Sequence, residues 1–331
     1  MDHLPVHILE KFQHSYAFLG GGLVPYNLGQ EGSDGAIYRF HDQDILLKIC
    51  YLGPGSRRGD RLRFGKRLDF LAFLFDRGVP VVEPVPLSDG RLFDCVEGES
   101  GWWAAYAMKR VLGQTMSPKV WEPVFVQKWG ETMGKLHRCT QEYPDWERTG
   151  DPETGEDLLS WQWEAAGIRH LMEEPEIKEQ WEILCGELQA LPVARDCFGL
   201  IHNDPHLWNV RWHEGQAILL DFETVNHFWF AYDIATACQH VVAMLAGGLM
   251  RPIEHPEWLG DFFGEFLTGY ARENYLSRDW LERLEPFFAY RRLLLYTVLP
   301  GWWKSNPALQ RSWKQMILER PNILEDVRIK R

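Results

Sequence analysis

Nowhere in the 331 residues do two cysteines form a CxxC pair. Cys50, Cys95, Cys139, Cys185, Cys197 and Cys238 are scattered, mostly among apolar neighbours. That spacing excludes a zinc ribbon or dithiol redox motif and reads as buried thiols of a reducing cytosol. Basic residues are scarce as well: 35 Lys and Arg stand against 47 Asp and Glu, for a net charge of −12. A nucleic-acid binder needs a basic face for phosphates, so no nucleic-acid partner is expected. The acidic balance mildly suits a cationic small molecule. No run reaches the roughly 18 apolar residues of a membrane span. The opening MDHLPVHILEKF carries charges and lacks the apolar centre of a secretory leader, so a cytoplasmic protein without a membrane partner is expected. The phosphate-binding pattern GxxxxGK[ST] and internal repeats are also missing.

What is present is ample core material. Hydrophobic residues make up 45% of the chain, including 16 Trp, enough for a large two-lobed body. The first third is rich in strands. Ala36 to Phe40 and Ile45 to Cys50 read as a hairpin behind a glycine-rich turn, Gly29 to Gly35. Residues 61–77 have helical spacing and stop at Gly78. Further strand-like runs follow, ending in WWAAYAMKRVLG. After Gly113 the pattern turns helical, with helices expected over 121–138, one or two within 158–190, and over 231–248, 257–275 and 278–298.

Between these helices lies LIHNDPHLWNV, residues 200–210, with the apolar run AILLDF a short turn later. Asp204 and Asn209 are five residues apart, and Asp221 closes the apolar run. Phosphoryl transfer needs a base beside the acceptor hydroxyl and hard oxygen ligands for a metal on the triphosphate. Asn209 and Asp221 can supply those oxygens and leave Asp204 to take the proton. Two other readings compete. His202, Asp204 and His206 alternate as transition-metal ligands on a strand would, although Pro205 breaks such a strand. The polar residues could instead serve to cap a loop.

HNDPHLWN followed by LLDFE resembles the catalytic and metal-binding motifs of the aminoglycoside phosphotransferase and choline kinase families. The motifs cover residues 200–236, and the order of elements extends the resemblance over most of the chain. It implies an α+β, two-lobed protein-kinase-like fold. A small antiparallel β-sheet lobe with one helix would span residues 1–110, and a larger, mainly helical lobe residues 111–331. It also implies ATP with Mg2+ as cofactors and a small-molecule alcohol as acceptor. Residue by residue, Asp204 and His202 match the catalytic positions and Asn209 and Asp221 the metal positions. Glu223, in the Asp-Phe-Glu form of choline-kinase-like sequences, matches a helper to the metal. Asp233 matches an acid that ties the catalytic loop down, and His137 a structural histidine. Lys48 fits the strand lysine that grips the phosphates, with Ser33 in the turn before it. Met108 would back the adenine, with the Lys109 and Val111 backbone along its edge.

One departure stands out. The family carries a Glu on the helix after the lysine strand, and no Glu occurs between Lys48 and Gly78. Asp69 is the acid nearest that place and is the expected partner of Lys48. The absence lends some support to a catalytically idle nucleotide- or partner-binding module. A protein Ser/Thr kinase ranks third, since little chain separates Asp221 from Asp233. The leading expectation is a kinase acting on a small, cationic, amine-bearing alcohol. Trp229, Phe230, Tyr290, Tyr296, Trp302 and Trp303 are candidate aromatic walls for the ammonium.

Overall fold

The computed structural model describes residues 4–26, 35–53, 56–99, 101–115, 122–144, 157–245 and 256–321. The chain divides into two compact units, Met1–Leu112 with Phe222–Thr224, and Gly113–Asp221 with Val225–Arg331. Ser33 and most of the glycine-rich turn lie outside the described residues.

The first unit is built on an antiparallel sheet of β1 (Leu23–Pro25), β2 (Gly35–Phe40), β3 (Ile45–Leu52), β4 (Pro84–Val85), β5 (Asp94–Glu97) and β6 (Trp102–Lys109). The path runs β1-β2-β3-β6-β4, with β5 also on β6. Strand alternation sorts the side chains by face. Leu47 and Ile49 of β3 share one face with Ala105 and Ala107 of β6. Helix α1 (Val6–Ser15) covers that face with Ile8 and Phe12. The other face presents Lys48 and Cys50, with Tyr106 directly opposite Lys48. Helix α2 (Arg61–Asp76) packs there, its Phe64 ring 5.9 Å from Tyr106. Asp60 caps α2 by accepting from the Leu62 and Arg63 amides, both at 2.9 Å. Gly78, at φ 67°, ends it, and the Val79 amide reaches back to the Leu74 carbonyl.

The second unit holds α3 (Pro123–Gln141), α4 (Trp161–Leu171), α5 (Pro175–Gln189), α6 (Phe230–Leu245), α7 (Pro256–Tyr270), α8 (Arg278–Glu282), α9 (Glu285–Val298), α10 (Pro300–Ser305) and α11 (Pro307–Glu319). Two hairpin-like pairs are set among them. β7 (Phe198–Ile201) pairs with β10 (Asn226–Trp229), and β8 (Val210–His213) pairs with β9 (Gln216–Leu219). The β8–β9 turn uses Glu214 and Gly215, both at positive φ, as a two-residue hairpin requires. The helix expected over 278–298 is broken into α8 and α9, because Pro286 cannot sit in a helix interior but starts a new one readily.

Helix α3 is the spine of this unit. Its Thr132 hydroxyl donates to the Ala217 carbonyl at 2.9 Å and its Thr140 hydroxyl to the Leu200 carbonyl at 2.6 Å, so both strand pairs hang from it. Its other side meets α7 at backbone contact distance. A Cβ at Gly130 would lie 1.9 Å from the Phe266 carbonyl oxygen, and one at Gly269 would lie 1.8 Å from that of Gln127. Gly130→Ala is therefore expected to drive α3 and α7 apart and to cost at least the roughly 1–3 kcal/mol of core overpacking. Gly167→Ala, within α4 where no atom lies within 4 Å of the added carbon, is the matched control. It should stabilise by about 0.5–1 kcal/mol. Urea denaturation of the two variants measures both effects.

Candidate active site

The loop from His202 to Asn209 leaves β7 and is held from beneath by one carboxylate. Asp233, fully buried in the first turn of α6, accepts the His202 amide at 2.9 Å and the Asn203 amide at 2.8 Å. His137 of α3 meets the same carboxylate at 3.2 Å through Nε2, and its ring stacks on Phe230. Phe230 is thus core, not a pocket wall. Asn203 adopts φ 71°, a left-handed conformation that Asn tolerates better than most side chains. Its side-chain amide donates to Glu164 at 3.0 Å, and Asn226 donates to the same buried carboxylate at 2.9 Å. Glu164 was not singled out from sequence.

His202 is itself buried and bridges two segments. Its Nε2 lies 2.7 Å from the Leu220 carbonyl, while its Nδ1 accepts the Asp204 amide at 3.3 Å. An imidazole with its proton on Nε2 serves both bonds. With both ring nitrogens bound to backbone, the His202–His206 metal site weighed from sequence loses a ligand, and no cluster of three His, Cys, Asp or Glu suited to a metal occurs among the described residues. The ring's work is positional: it ties the Asp204 backbone to the residue before Asp221.

Asn209 and Asp221 are brought to the same place from the other side. The Leu220 amide donates to the Asn209 carbonyl at 2.8 Å. The Asn209 side chain donates through Nδ2 to the Asp204 carbonyl at 3.0 Å, so its oxygen is directed away from that bond. Asp221, at φ 64°, turns sharply out of β9. One amide oxygen and one carboxylate suit a hard divalent cation that keeps waters and substrate phosphates as its other ligands.

The Asp204 carboxylate is flanked on both sides. Nη2 of Arg291, on α9, lies 2.5 Å from Oδ1, and Nε2 of His206 lies 3.7 Å from Oδ2. Desolvation holds the His206 pKa below its usual value, against the pull of Asp204. Trp208, half exposed, sits with its ring 5.9 Å from His206.

In the first unit the expectation for Asp69 is corrected. Asp69 lies on the exposed side of α2, and the carboxylate set against Lys48 is that of Glu223. Glu223 Oε1 lies 2.9 Å from Lys48 Nζ and accepts from the Cys50 thiol at 3.0 Å and the Tyr106 hydroxyl at 3.1 Å. Its Oε2 accepts from Arg58 Nε. Burial alone would raise the Glu223 pKa, but Arg58 and Lys48 outweigh it and hold the group well below the usual carboxylate range. Both Glu223 oxygens thus carry protein donors, which makes the group the acidic partner of Lys48 and Arg58. Arg67 occupies the inner side of α2 where a Glu was looked for. It donates to the Glu223 carbonyl at 2.8 Å and to the carbonyls of Arg57 and Arg58.

The hinge residues are mixed. Met108 is buried on β6 opposite Leu46. The Lys109 amide is spent on the Glu83 carbonyl at 2.9 Å and its ammonium on the Glu83 side chain at 2.7 Å. Val111 follows, half-buried. Of the proposed aromatic walls, Trp229, Tyr290 and Trp303 are at most 1% exposed and pack in core clusters with Phe228, Trp181 and Trp313. Tyr296 is buried and donates to Glu174 at 2.7 Å. Trp302 alone of the six is open to solvent, at 43%.

Comparison with known proteins gives the family of the chain. The profile of the phosphotransferase enzyme family matches residues 30–284. Amicoumacin kinase of Bacillus subtilis (strain 168) is 27% identical over 269 residues, 78% of this chain and 74% of its own length. An amicoumacin kinase solved in complex with AMP-PNP, Ca2+ and Ami superposes with a TM-score of 0.81 at 21% identity, covering 99% of this chain and 96% of its own. A microcompartment-associated aminopropanol kinase superposes at 0.63 with 20% identity, covering 96% and 94%. The chain belongs to the phosphotransferase enzyme family and is a small-molecule phosphotransferase.

Proposed function

We propose that the protein transfers the γ-phosphoryl group of ATP to the hydroxyl of a small, amine-bearing alcohol. The observation that carries this reading is the placement of Asp204. Its carboxylate sits on a loop fixed at His202, Asn203 and Asn209, partly open to solvent and beside two residues able to hold a metal. The amine is supported by the net charge of −12 and by the likeness to a kinase of an amino alcohol.

In the reaction the acceptor hydroxyl donates a hydrogen bond to Asp204, and its oxygen attacks the γ-phosphorus. The bond from that phosphorus to the β–γ bridging oxygen breaks, ADP leaves, and the hydroxyl proton passes to Asp204. The transition state is loose, so the chain's main task is positioning and charge compensation. Asn209 and Asp221 would hold Mg2+, whose bound form neutralises charge on the phosphates. Lys48 would contact the phosphates, oriented by Glu223. Because Glu223 gives Lys48 a buried acidic partner, the observation that favoured an idle module no longer does so.

Asp204→Ala should lower turnover by about 10²–10⁴-fold with nucleotide affinity retained. Unchanged turnover with a working acceptor would remove Asp204 from the mechanism. Glu223→Gln strips the charge that compensates Lys48 and Arg58. It should destabilise by roughly 3–5 kcal/mol and raise KM for ATP, whereas Asp69→Asn should do neither. Chemical denaturation and steady-state kinetics separate the two acids. The acceptor is tested by ATP consumption against aminopropanol, choline, aminoglycosides, amicoumacin and neutral sugars. Stimulation by sugars alone overturns the amine.

A further inference from the structure

We propose that Glu164 is a positioning residue for the catalytic loop: by tethering the Asn203 side chain to the frame of α4 and β10, it fixes where the chain presents Asp204. The inference rests on the reading of Asp204 as the acceptor's base.

Glu164 is 3% exposed in the first turn of α4. A carboxylate withdrawn so far from water requires donors, and two come from separate segments. The Asn203 side chain donates to Oε2 at 3.0 Å, and the Asn226 side chain donates to the same oxygen at 2.9 Å. Asn226 stands on β10 directly across from Ile201 of β7, two residues before Asn203. Helix α4 is mounted on the same strand. The His227 amide donates to the Leu159 carbonyl at 2.7 Å, and His227 Nδ1 meets Asp157 at 2.9 Å. The Trp161 ring packs against Phe228 and Trp229 at 5.5 and 5.7 Å. Glu164 thus refers the loop to α4 and β10, whereas Asp233 refers it to α6.

The two anchors hold different atoms of one residue. Asp233 binds the Asn203 amide, and the Asp204 amide that follows donates to the His202 ring at 3.3 Å. Between those amides lies the Asn203 α-carbon, at φ 71°. That conformation is sparsely populated by residues with a side chain, and rotation out of it would swing Asp204. The bond to Glu164 fixes the direction of the side chain on that α-carbon, so it opposes the rotation. Misplacing a reacting group by about 1 Å can cost on the order of 10²-fold in rate, which sets the scale of the effect.

The test uses Asn203→Gly, Glu164→Leu and Glu164→Gln in the full-length protein, with ATP, Mg2+ and aminopropanol. ATP hydrolysis with water is followed in parallel, so a wrong choice of acceptor leaves a turnover to read. Asp204→Ala is measured in the same assays. Glycine adopts positive φ without steric cost, so Asn203→Gly keeps the backbone shape and removes the tether. It should lower kcat by roughly 10–100-fold, with KM for ATP within about threefold. Glu164→Leu should show a loss of the same size, and Glu164→Gln, which keeps an acceptor oxygen, should recover most of it. The double variant of Asn203→Gly with Glu164→Leu should lie within about threefold of the slower single variant, because one tether is lost either way. Wild-type kcat in Asn203→Gly overturns the proposal, and does so even where Glu164→Leu fails to fold. Equal losses in Glu164→Gln and Glu164→Leu overturn it too, since they would make the charge and not the tether the active feature. If Asp204→Ala keeps turnover, the base reading fails and the proposal falls with it. If Asp204→Ala is inactive while Asn203→Gly is not impaired, the tether alone fails. A crystal structure of Asn203→Gly gives a readout independent of activity: a displaced Asp204 supports the tether, and an unmoved one refutes it.

Discussion

The catalytic loop depends on the buried carboxylate of Asp233. Withdrawing such a group from water costs several kcal/mol unless strong donors replace the lost hydration. Here the donors are the amides of His202 and Asn203 and the imidazole of His137. Charge-assisted bonds of this kind are roughly twice as strong as neutral ones, so the loop backbone is pinned where it leaves β7. Pinning has consequences along the chain. His202 can then reach the Leu220 carbonyl, the Leu220 amide in turn donates to the Asn209 carbonyl, and Asp221 turns out of β9 at φ 64°. The proposed base and both proposed metal ligands are thus set by one network of backbone bonds.

The first unit solves a different electrostatic problem. A lysine on the inner face of a strand needs an acid, and α2 offers Arg67 in the buried position instead. The acid arrives from the Asp-Phe-Glu segment. Strand alternation brings Lys48 and Cys50 to the face that Glu223 enters, and cross-strand register adds Tyr106. Arg67 is then useful as a cation, because it binds the Glu223 carbonyl and the Arg57–Arg58 backbone and so orders the segment that delivers Arg58. The cation and acid have exchanged elements relative to the resemblance, and the Lys–Glu pair survives the exchange.

How much of this was legible follows from the range of each signal. The hairpin and α2 with its stop at Gly78 are local patterns, and the fold places them as read; the spacing of His202, Asp204 and Asn209 is local in the same way. Of the four non-glycine residues at positive φ among those described, the two inside the motifs are Asn203 and Asp221, types that tolerate that conformation. Glu223 was legible as part of a motif but not as the partner of Lys48, because a separation of 175 residues leaves no periodic trace. Arg291 was invisible for the same reason. The aromatic walls were misread because large rings after a functional motif look alike whether they line a pocket or fill a core. Trp229 and Tyr290 fill the core, and Trp208, inside the loop motif itself, is the exposed ring that was passed over.

The Asp204–Arg291 pair also constrains where an amine could be recognised. A lone carboxylate attracts an ammonium about 4 Å away by roughly 4 kcal/mol at an effective dielectric of 20. With Arg291 at 2.5 Å from one carboxylate oxygen, the guanidinium offsets part of that attraction. Desolvation disfavours the charged form of His206, which limits the positive charge it adds beside Asp204. This pairing weakens any attraction that Asp204 would exert on a cationic acceptor. On the proposed reading, recognition of an ammonium would draw on carboxylates further along the acceptor or on the field of the chain's surplus of acids. An amino alcohol would then place its hydroxyl at Asp204 and its ammonium away from it, and the separation of the two groups in the best acceptor would report the distance from Asp204 to the recognising acid.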